Sequence, residues 1–249
     1  MDLSELPRGS FLRHPWEVAR ARFFLGELKK AGVLAGAQRI LDVGSGDAWF
    51  ASLVADANPE AEVVCWDLGY ENGKPAPRDR MAYTSTKPEG TFDALILLDV
   101  AEHVPDDRSF LRDVLSVMGP KTPVLFSVPA WPSIYSNHDE ALRHYRRYTP
   151  DSARTLLQEC GLKLKRENGL FHSLLVPRFV TARIQNRPAG LTLTDNPPPP
   201  PADLAWKAGR ATHGLVSAVL AVDGAVSRLA ATLGLELPGL SYWALCHKS

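Results

Sequence analysis

The 249-residue chain has little cysteine and no excess of charge. Cys65, Cys160 and Cys246 are far apart and no C-x-x-C pair occurs, which excludes a zinc ribbon and a thioredoxin-like redox motif. Three reduced thiols of a cytoplasmic protein are expected. Lys plus Arg and Asp plus Glu both number 28, so the formal net charge is zero. A neutral chain exerts no general pull on nucleic acid or on an anionic membrane, and no nucleic-acid partner is expected. Residues 1–13 lack the basic region and apolar core of a signal peptide. No uninterrupted apolar run approaches the about 18 residues of a spanning helix, so no transmembrane segment is expected. There is no internal repeat. A hydrophobic fraction of 45% and a charged fraction of 22% exclude disordered, collagenous and disulfide-scaffold compositions.

What is present is an alternation of elements. Val18, Ala21, Phe24, Leu25 and Leu28 recur at helical spacing over 15–31, and Gly32 stops the pattern. Residues 39–43 form a short apolar run that ends in Gly44-Ser45-Gly46. Trp49, Phe50, Leu53 and Val54 then follow at helical spacing, and 62–67 reads as a second strand. The near-continuous apolar run 92–99 suits a central parallel strand. A helix over 109–118 ends at Gly119-Pro120, and 123–129 is another strand. Thr149 and Pro150 are an N-cap and a first helical residue, and Gly161 sits where a C-cap glycine belongs. Further strands are expected at 170–176 and 241–246. The order predicts an α/β fold with a doubly wound, Rossmann-like sheet and helices on both faces.

One stretch breaks the alternation. Pro197 to Pro201 favour a stiff polyproline II spacer within 191–203. Beyond it, Leu215, Val219, Val222, Val226, Leu229 and Leu233 step by four and three, a heptad-like apolar seam on a helix over 204–234. Packing on its own domain is the plain reading; a homodimer seam or a lipid-facing surface is the alternative. The whole chain, 1–249, reads as one domain, with 177–240 a helical, proline-rich insertion before the last strand.

The turn after the first strand, Asp42-Val43-Gly44-Ser45-Gly46-Asp47-Ala48-Trp49, lets a ligand approach the backbone closely. A dinucleotide fingerprint needs a small residue where Trp49 stands, and the P-loop lysine is missing. Asp67 closes the second strand, where a carboxylate can accept two ribose hydroxyls.

This stretch resembles motif I of the class I S-adenosylmethionine-dependent methyltransferases. Leu98-Asp99-Val100-Ala101-Glu102-His103-Val104 is similar to the D-V-x-E-H-V signature of many small-molecule members. Ser127-Val128-Pro129-Ala130, Asn137-His138-Asp139-Glu140 and His144-Tyr145-Arg146-Arg147-Tyr148-Thr149 match a recurring pattern of the same group, and His14-Pro15-Trp16 with Arg20 resembles the N-terminal helix of some members. The resemblance covers roughly 14–176, with 241–246 as the closing strand. It implies S-adenosyl-L-methionine as cofactor, held by Asp42, Gly44, Ser45, Gly46, Asp67, Leu68, Asp99 and Val100. It also implies methyl transfer to a small-molecule acceptor. Two departures stand out: Ala48 replaces a frequent glycine, and no acidic residue for adenine is evident at 82–85.

Methyl transfer displaces a neutral thioether, so the enzyme's main work is to hold the acceptor about 3 Å from the methyl carbon and exclude water. A base is needed only for an acceptor such as a hydroxyl. His103 is the first candidate, with His144 and His138 as alternatives. The acceptor is expected to meet Trp131, Tyr135, His138, Tyr145 and Arg146. The basic run 144–148 suits an acidic or phosphate-bearing substrate; equally, Arg146 or Arg147 pairs with Glu102 or Asp139 to close the loop. Asp99, Glu102 and His103 at i, i+3 and i+4 permit a shared cation, but no complete ligand set is visible and no metal is assigned. Oxygen is preferred to nitrogen or carbon as the acceptor atom. The rival readings are a lipid-linked acceptor at a membrane surface and a non-enzymatic, cofactor-binding scaffold.

Overall fold

The computed structural model describes residues 12–184, 206 and 208–249. The elements in chain order are α1 (Pro15–Lys30), α2 (Val33–Gly36), β1 (Arg39–Val43), α3 (Trp49–Ala57), β2 (Glu62–Trp66), β3 (Met81–Thr84), β4 (Ala94–Leu98), α4 (Asp107–Leu115), β5 (Pro123–Pro129), α5 (Asn137–Ala141), α6 (Pro150–Glu159), β6 (Leu162–Leu170), α7 (His172–Ile184), α8 (Arg210–Leu233) and β7 (Ser241–Lys248). The sheet runs β3-β2-β1-β4-β5-β7-β6. Strands β1 to β5 are parallel, while β7 is antiparallel to both β5 and β6. The carboxyl ends of β1, β2, β4 and β5 therefore share one edge, where ligands of such sheets bind.

Side chains alternate across the sheet, and each face is covered. Ile40, Val63, Ile96, Leu125 and Trp243 pack under α1, α3 and α8 with Phe23, Phe24, Leu28, Val54 and Leu220. Leu41, Val64, Leu95, Leu97, Phe126 and Tyr242 pack against α4 and α6 with Leu111, Val114, Leu156 and Leu157. The expected doubly wound sheet with helices on both faces is the observed fold. Local signals act as their chemistry requires. His14 Nδ1 accepts from the Trp16 N–H at the start of α1, and Thr149 caps α6 with Pro150 behind it.

The last third of the chain corrects three expectations. Residues 170–176 are not a strand: β6 occupies 162–170, Phe171 turns at φ 63°, and α7 begins at His172. Strand β6 lies at the sheet edge and carries Lys163, Lys165 and Arg166, so it has no apolar run to betray it. The long helix spans Arg210–Leu233 rather than 204–234, stopped by Gly234 in the left-handed conformation at φ 68°. Its seam faces outward: Leu215, Val219, Val222, Val226, Leu229 and Leu233 are all exposed. The buried face is instead Leu220, Asp223, Gly224, Ser227 and Ala230.

Specific polar contacts fix that orientation. Asp223 accepts from the Ser173 N–H and hydroxyl at 3.0 and 2.6 Å. Ser227 donates to the Gly169 carbonyl at 2.7 Å and accepts from Trp243 Nε1 at 2.8 Å. Buried Glu27 of α1 pairs with Arg228 at 2.9 Å and with Arg166. By length and composition the 24-residue α8 is apolar enough to cross a membrane, a property that inspection for uninterrupted runs misses.

Candidate active site

The tip of β1 is built for close backbone approach. Gly44 has φ 67°, and a Cβ there would lie 2.4 Å from Val100 Cγ2, so only glycine lets the turn sit against the end of β4. Gly46 at φ 53° and Ala48 at φ 57° continue the left-handed turn, which explains why a glycine suits the position Ala48 holds. The Gly44 N–H donates to the Trp66 carbonyl at 2.7 Å, tying the tip of β1 to that of β2. Asp67 then bridges two segments. One carboxylate oxygen accepts from the Gly46 N–H and the other from the Gly69 N–H, both at 2.8 Å. Each oxygen keeps a further lone pair. Leu68, beside it, is exposed. Tyr70, which no motif singles out, donates to the Gly46 carbonyl at 2.8 Å and lies 3.1 Å from Ser45 Oγ.

Asp42 points to the α1 side of the sheet and is buried beneath this turn. Burial pushes its carboxyl up to about 7, against the opposing pull of the Arg20 charge. It therefore backs the turn rather than opening on the cleft. The cleft lies between α1 and the turn, lined by Glu17, Arg20, Ser45, Asp47, Trp49 and Leu98, with a volume of about 40 Å³. Two ion pairs narrow it. Arg20 meets Asp99 at 2.6 Å, where Ser127 Oγ also donates at 2.8 Å. Arg13 pairs with Asp47 and stacks 4.2 Å from the centroid of Trp49. The resemblance implied Asp99 and Val100 as cofactor residues; Asp99 here holds Arg20 at the strand end, with φ 57°, and Val100 packs on Gly44.

A second cluster stands at the end of β4. Ala101–His103 is a single tight turn that buries Glu102 and leaves His103 exposed. The segment 136–148 folds over it. Tyr145 N–H donates to the Glu102 carbonyl at 2.7 Å, and His144 N–H to the Asp139 carbonyl at 2.8 Å. The rings of His103 and His144 meet edge to face with centroids 4.7 Å apart. His144 Nδ1 lies 2.9 Å from Asp139 Oδ1, which also accepts from Arg147 Nε at 2.7 Å. Asp139 Oδ2 accepts from the Ser136 N–H at 2.9 Å. Burial alone would raise the Asp139 carboxyl, but the His144 hydrogen bond and the Arg147 charge outweigh it and hold the group well below the usual carboxylate range. An ionised carboxylate only accepts, so Nδ1 of His144 is the donor in this bond and Nε2 is the ring nitrogen that Asp139 leaves unengaged. Both carboxylate oxygens of Glu102 are buried with no hydrogen-bond partner among the described residues. Burial, reinforced by the Asp99 charge, pushes its carboxyl well above the ordinary range.

The structure thus brings His103 and His144 together and places Tyr135 and His138 behind them. Tyr135 donates to the His144 carbonyl at 2.8 Å, and burial pushes its hydroxyl up to about 12. Burial, aided by Arg178, pushes His138 down to about 4. Trp131, at φ 66°, donates its indole N–H to the Gly239 carbonyl at 2.8 Å. Arg146 turns away: it pairs with Asp107 at 2.8 Å, an acid that also accepts from Tyr148. The loop-closing pair is Arg147 with Asp139. The sequence reading names Asp139 among the alternative loop-closing partners, whereas Arg178 of α7, which donates to Ser136 Oγ at 2.6 Å, lies in a segment read as an insertion.

Comparison with known proteins identifies the family and the fold. The methyltransferase domain family matches residues 10–167, more than half of the chain. Uncharacterized methyltransferases of Mycobacterium sp. strains JLS and KMS are 28% identical over 116 residues, 44% of this chain and 46% of each relative. The match thus spans just under half the length of these relatives. Among solved structures, the plantazolicin methyltransferase BpumL, in complex with a monoazolic desmethylPZN analog and SAH, superposes with a TM-score of 0.56 at 12% identity, over 94% of this chain and 85% of that one. An S-adenosylmethionine-dependent methyltransferase from Mesorhizobium loti gives 0.56 at 12% identity, over 92% of this chain and 100% of that one. The [4+2]-cyclase SpnF gives 0.54 at 15%, over 97% and 84%. At such identities the likeness is one of fold, and the cyclase illustrates that this fold hosts more than one chemistry. The match over residues 10–167, together with the sheet order and the glycine turn, establishes that the chain belongs to the methyltransferase domain family.

Proposed function

We propose that this chain transfers the methyl group of S-adenosylmethionine to an oxygen atom of a small-molecule acceptor. The observation that carries the reading is the pairing, on one sheet edge, of the Gly44–Gly46 turn bridged by Asp67 with the His103–His144 cluster at the end of β4. The donor set fits the cofactor. The turn is a cradle that a Cβ at Gly44 would fill, Asp67 has lone pairs left for ribose hydroxyls, and Asp42 lies beneath as a latent negative charge. When bound, S-adenosylmethionine supplies an electrophilic methyl group on a sulfonium centre. Two ion pairs, Arg20 with Asp99 and Arg13 with Asp47, border the cleft that the cofactor would enter.

The rest of the work falls to the chain's own side chains. The segment 136–148 covers the strand ends and excludes water, held shut by Arg147 and Arg178 on Asp139 and Ser136. The hydroxyl of the acceptor docks at the Glu102–His103–His144 cluster and gives up its proton there. His103, the exposed member, is the outlet to solvent. With Arg146 engaged by Asp107, the acceptor does not need to be anionic.

A lipid-linked acceptor is the second reading, and one feature favours it. Helix α7 sets Arg178 on the acceptor end while exposing Val176, Phe179 and Val180. The α8 seam adds a two-stranded coiled-coil spacing, and self-association through it accompanies the proposal. Titration with S-adenosylhomocysteine, followed by a panel of hydroxyl, amine and thiol acceptors, tests the main reading. Turnover confined to hydroxyls supports it. Binding without turnover anywhere on the panel supports the scaffold reading instead. Flotation with neutral vesicles tests the lipid variant.

A further inference from the structure

We propose that Glu102, His103 and His144 form a binding site for a divalent transition-metal ion. Each offers one ligand atom, and the three atoms lie within 4.8 Å of one another. Two residues come from the turn after β4 and the third from the segment folded over it. The set is therefore assembled by tertiary structure, and Asp99, the third residue that sequence spacing suggests, stays on Arg20.

Three independent features point to a cation. The first is the Glu102 carboxylate. It is fully buried, and neither oxygen has a hydrogen-bond partner among the described residues. A buried carboxylate left unsatisfied costs several kcal/mol by order of magnitude, and an unseen ion is one of the few remedies. The neighbouring arginines do not supply it: Arg20 is engaged by Asp99, and Arg147 by Asp139.

The second feature is the support behind His144. Its Nδ1–H donates to Asp139, which is itself fixed by Ser136 and Arg147. This is the carboxylate–histidine arrangement that orients metal-binding imidazoles, and it leaves Nε2 as the ligand atom. The third is the composition of the set. Two imidazoles and one carboxylate suit Zn²⁺, Co²⁺ or Fe²⁺, whereas Mg²⁺ and Ca²⁺ prefer all-oxygen sites.

Bonds of about 2.0–2.2 Å in a tetrahedral site place ligand atoms about 3.4 Å apart, so the cluster must contract slightly. His103 is the exposed member of the set. Three protein ligands leave one position open. The role, which rests on the oxygen-acceptor reading, is to seat the acceptor's hydroxyl in that position. The O–H bond then breaks with its proton passing to solvent at the exposed rim, the new O–C bond forms to the methyl carbon, and the C–S bond electrons return to sulfur.

Occupancy and role separate experimentally. The full chain is stripped with chelator, then titrated with Co²⁺ and followed by its visible absorption; Zn²⁺ competition reports affinity. The wild type is expected to take up one equivalent with an intense low-coordination spectrum. Glu102→Gln and His144→Gln are expected to weaken binding at least tenfold, with circular dichroism and S-adenosylhomocysteine affinity retained in Glu102→Gln. Failure of the wild type to bind Co²⁺ or Zn²⁺ below millimolar concentrations, or an unchanged affinity in Glu102→Gln, overturns the site. If the metal binds but no hydroxyl acceptor is methylated, the site stands and the oxygen-acceptor reading falls. If chelated protein methylates hydroxyls at the full rate, the site's catalytic role is overturned.

Discussion

Strand β1 and helix α8 are both apolar segments with clean periodicity, yet they orient oppositely. The apolar residues of β1, Ile40, Leu41 and Val43, are all buried. Those of the α8 seam are all exposed, and the helix buries Asp223, Gly224 and Ser227 instead. Periodicity tells which residues share a face; it does not tell which face turns inward. In β1 both faces are covered, so the question never arises. In α8 the answer comes from partners far away in sequence: Ser173 for Asp223, Gly169 and Trp243 for Ser227, and Phe23 against Gly224.

The largest expected effect breaks this comparison at its anchor. Glu27→Ala strands Arg166 and Arg228 beside a buried gap and is expected to cost about 3 kcal/mol in urea unfolding, the scale of a broken buried pair. Leu215→Ser on the seam is expected to change stability by less than about 0.5 kcal/mol. Equal losses from the two would mean that the seam is covered. Gly44→Ala comes next. It meets Val100 in a left-handed turn and is expected to lower stability by about 1–3 kcal/mol. Differential scanning calorimetry checks this against Gly36→Ala, where a Cβ meets nothing within 4 Å. If the seam pairs two copies, Leu229→Glu halves the mass seen by light scattering; an unchanged mass removes that proposal.

Asp42 gives the most diagnostic effect. Its carboxyl lies near 7 in the folded chain against 3.8 in the unfolded one. A raised acid contributes stability that is fully present below the unfolded value and lost as pH rises through the folded one. The ligand-free protein is thus expected to lose stability between these values relative to Asp42→Asn, as followed by thermal unfolding across pH. A cationic cofactor favours the ionised carboxylate, so its affinity is expected to rise up to about tenfold from pH 6 to 8. The rise is expected to vanish in Asp42→Asn.

How much was legible follows from the same contrast. Asp42, Gly44, Gly46 and Asp67 form a compact motif, because a strand, a tight turn and the next strand bring them together within a few dozen residues. The pair His103 and His144 was named from residue chemistry, but the geometry that joins them was not. It depends on Asp139, Arg147 and Arg178 closing the 136–148 segment, and on a helix, α7, in a stretch that reads as strand and insertion. Strand β6 escaped because an edge strand tolerates lysines, and Tyr70 because a single polar group on a buried residue announces nothing; Ser127 stood in a quoted pattern with no role attached.

The central claim is that the glycine turn and Asp67 together grip the cofactor, and calorimetric titration with S-adenosylhomocysteine tests it most directly. The wild type is expected to bind one equivalent. Asp67→Ala, which loses the ribose acceptors and the bridge to Gly46 and Gly69, is expected to bind about 100-fold more weakly. Equal affinity in the two proteins, or no binding to the wild type, would contradict the account.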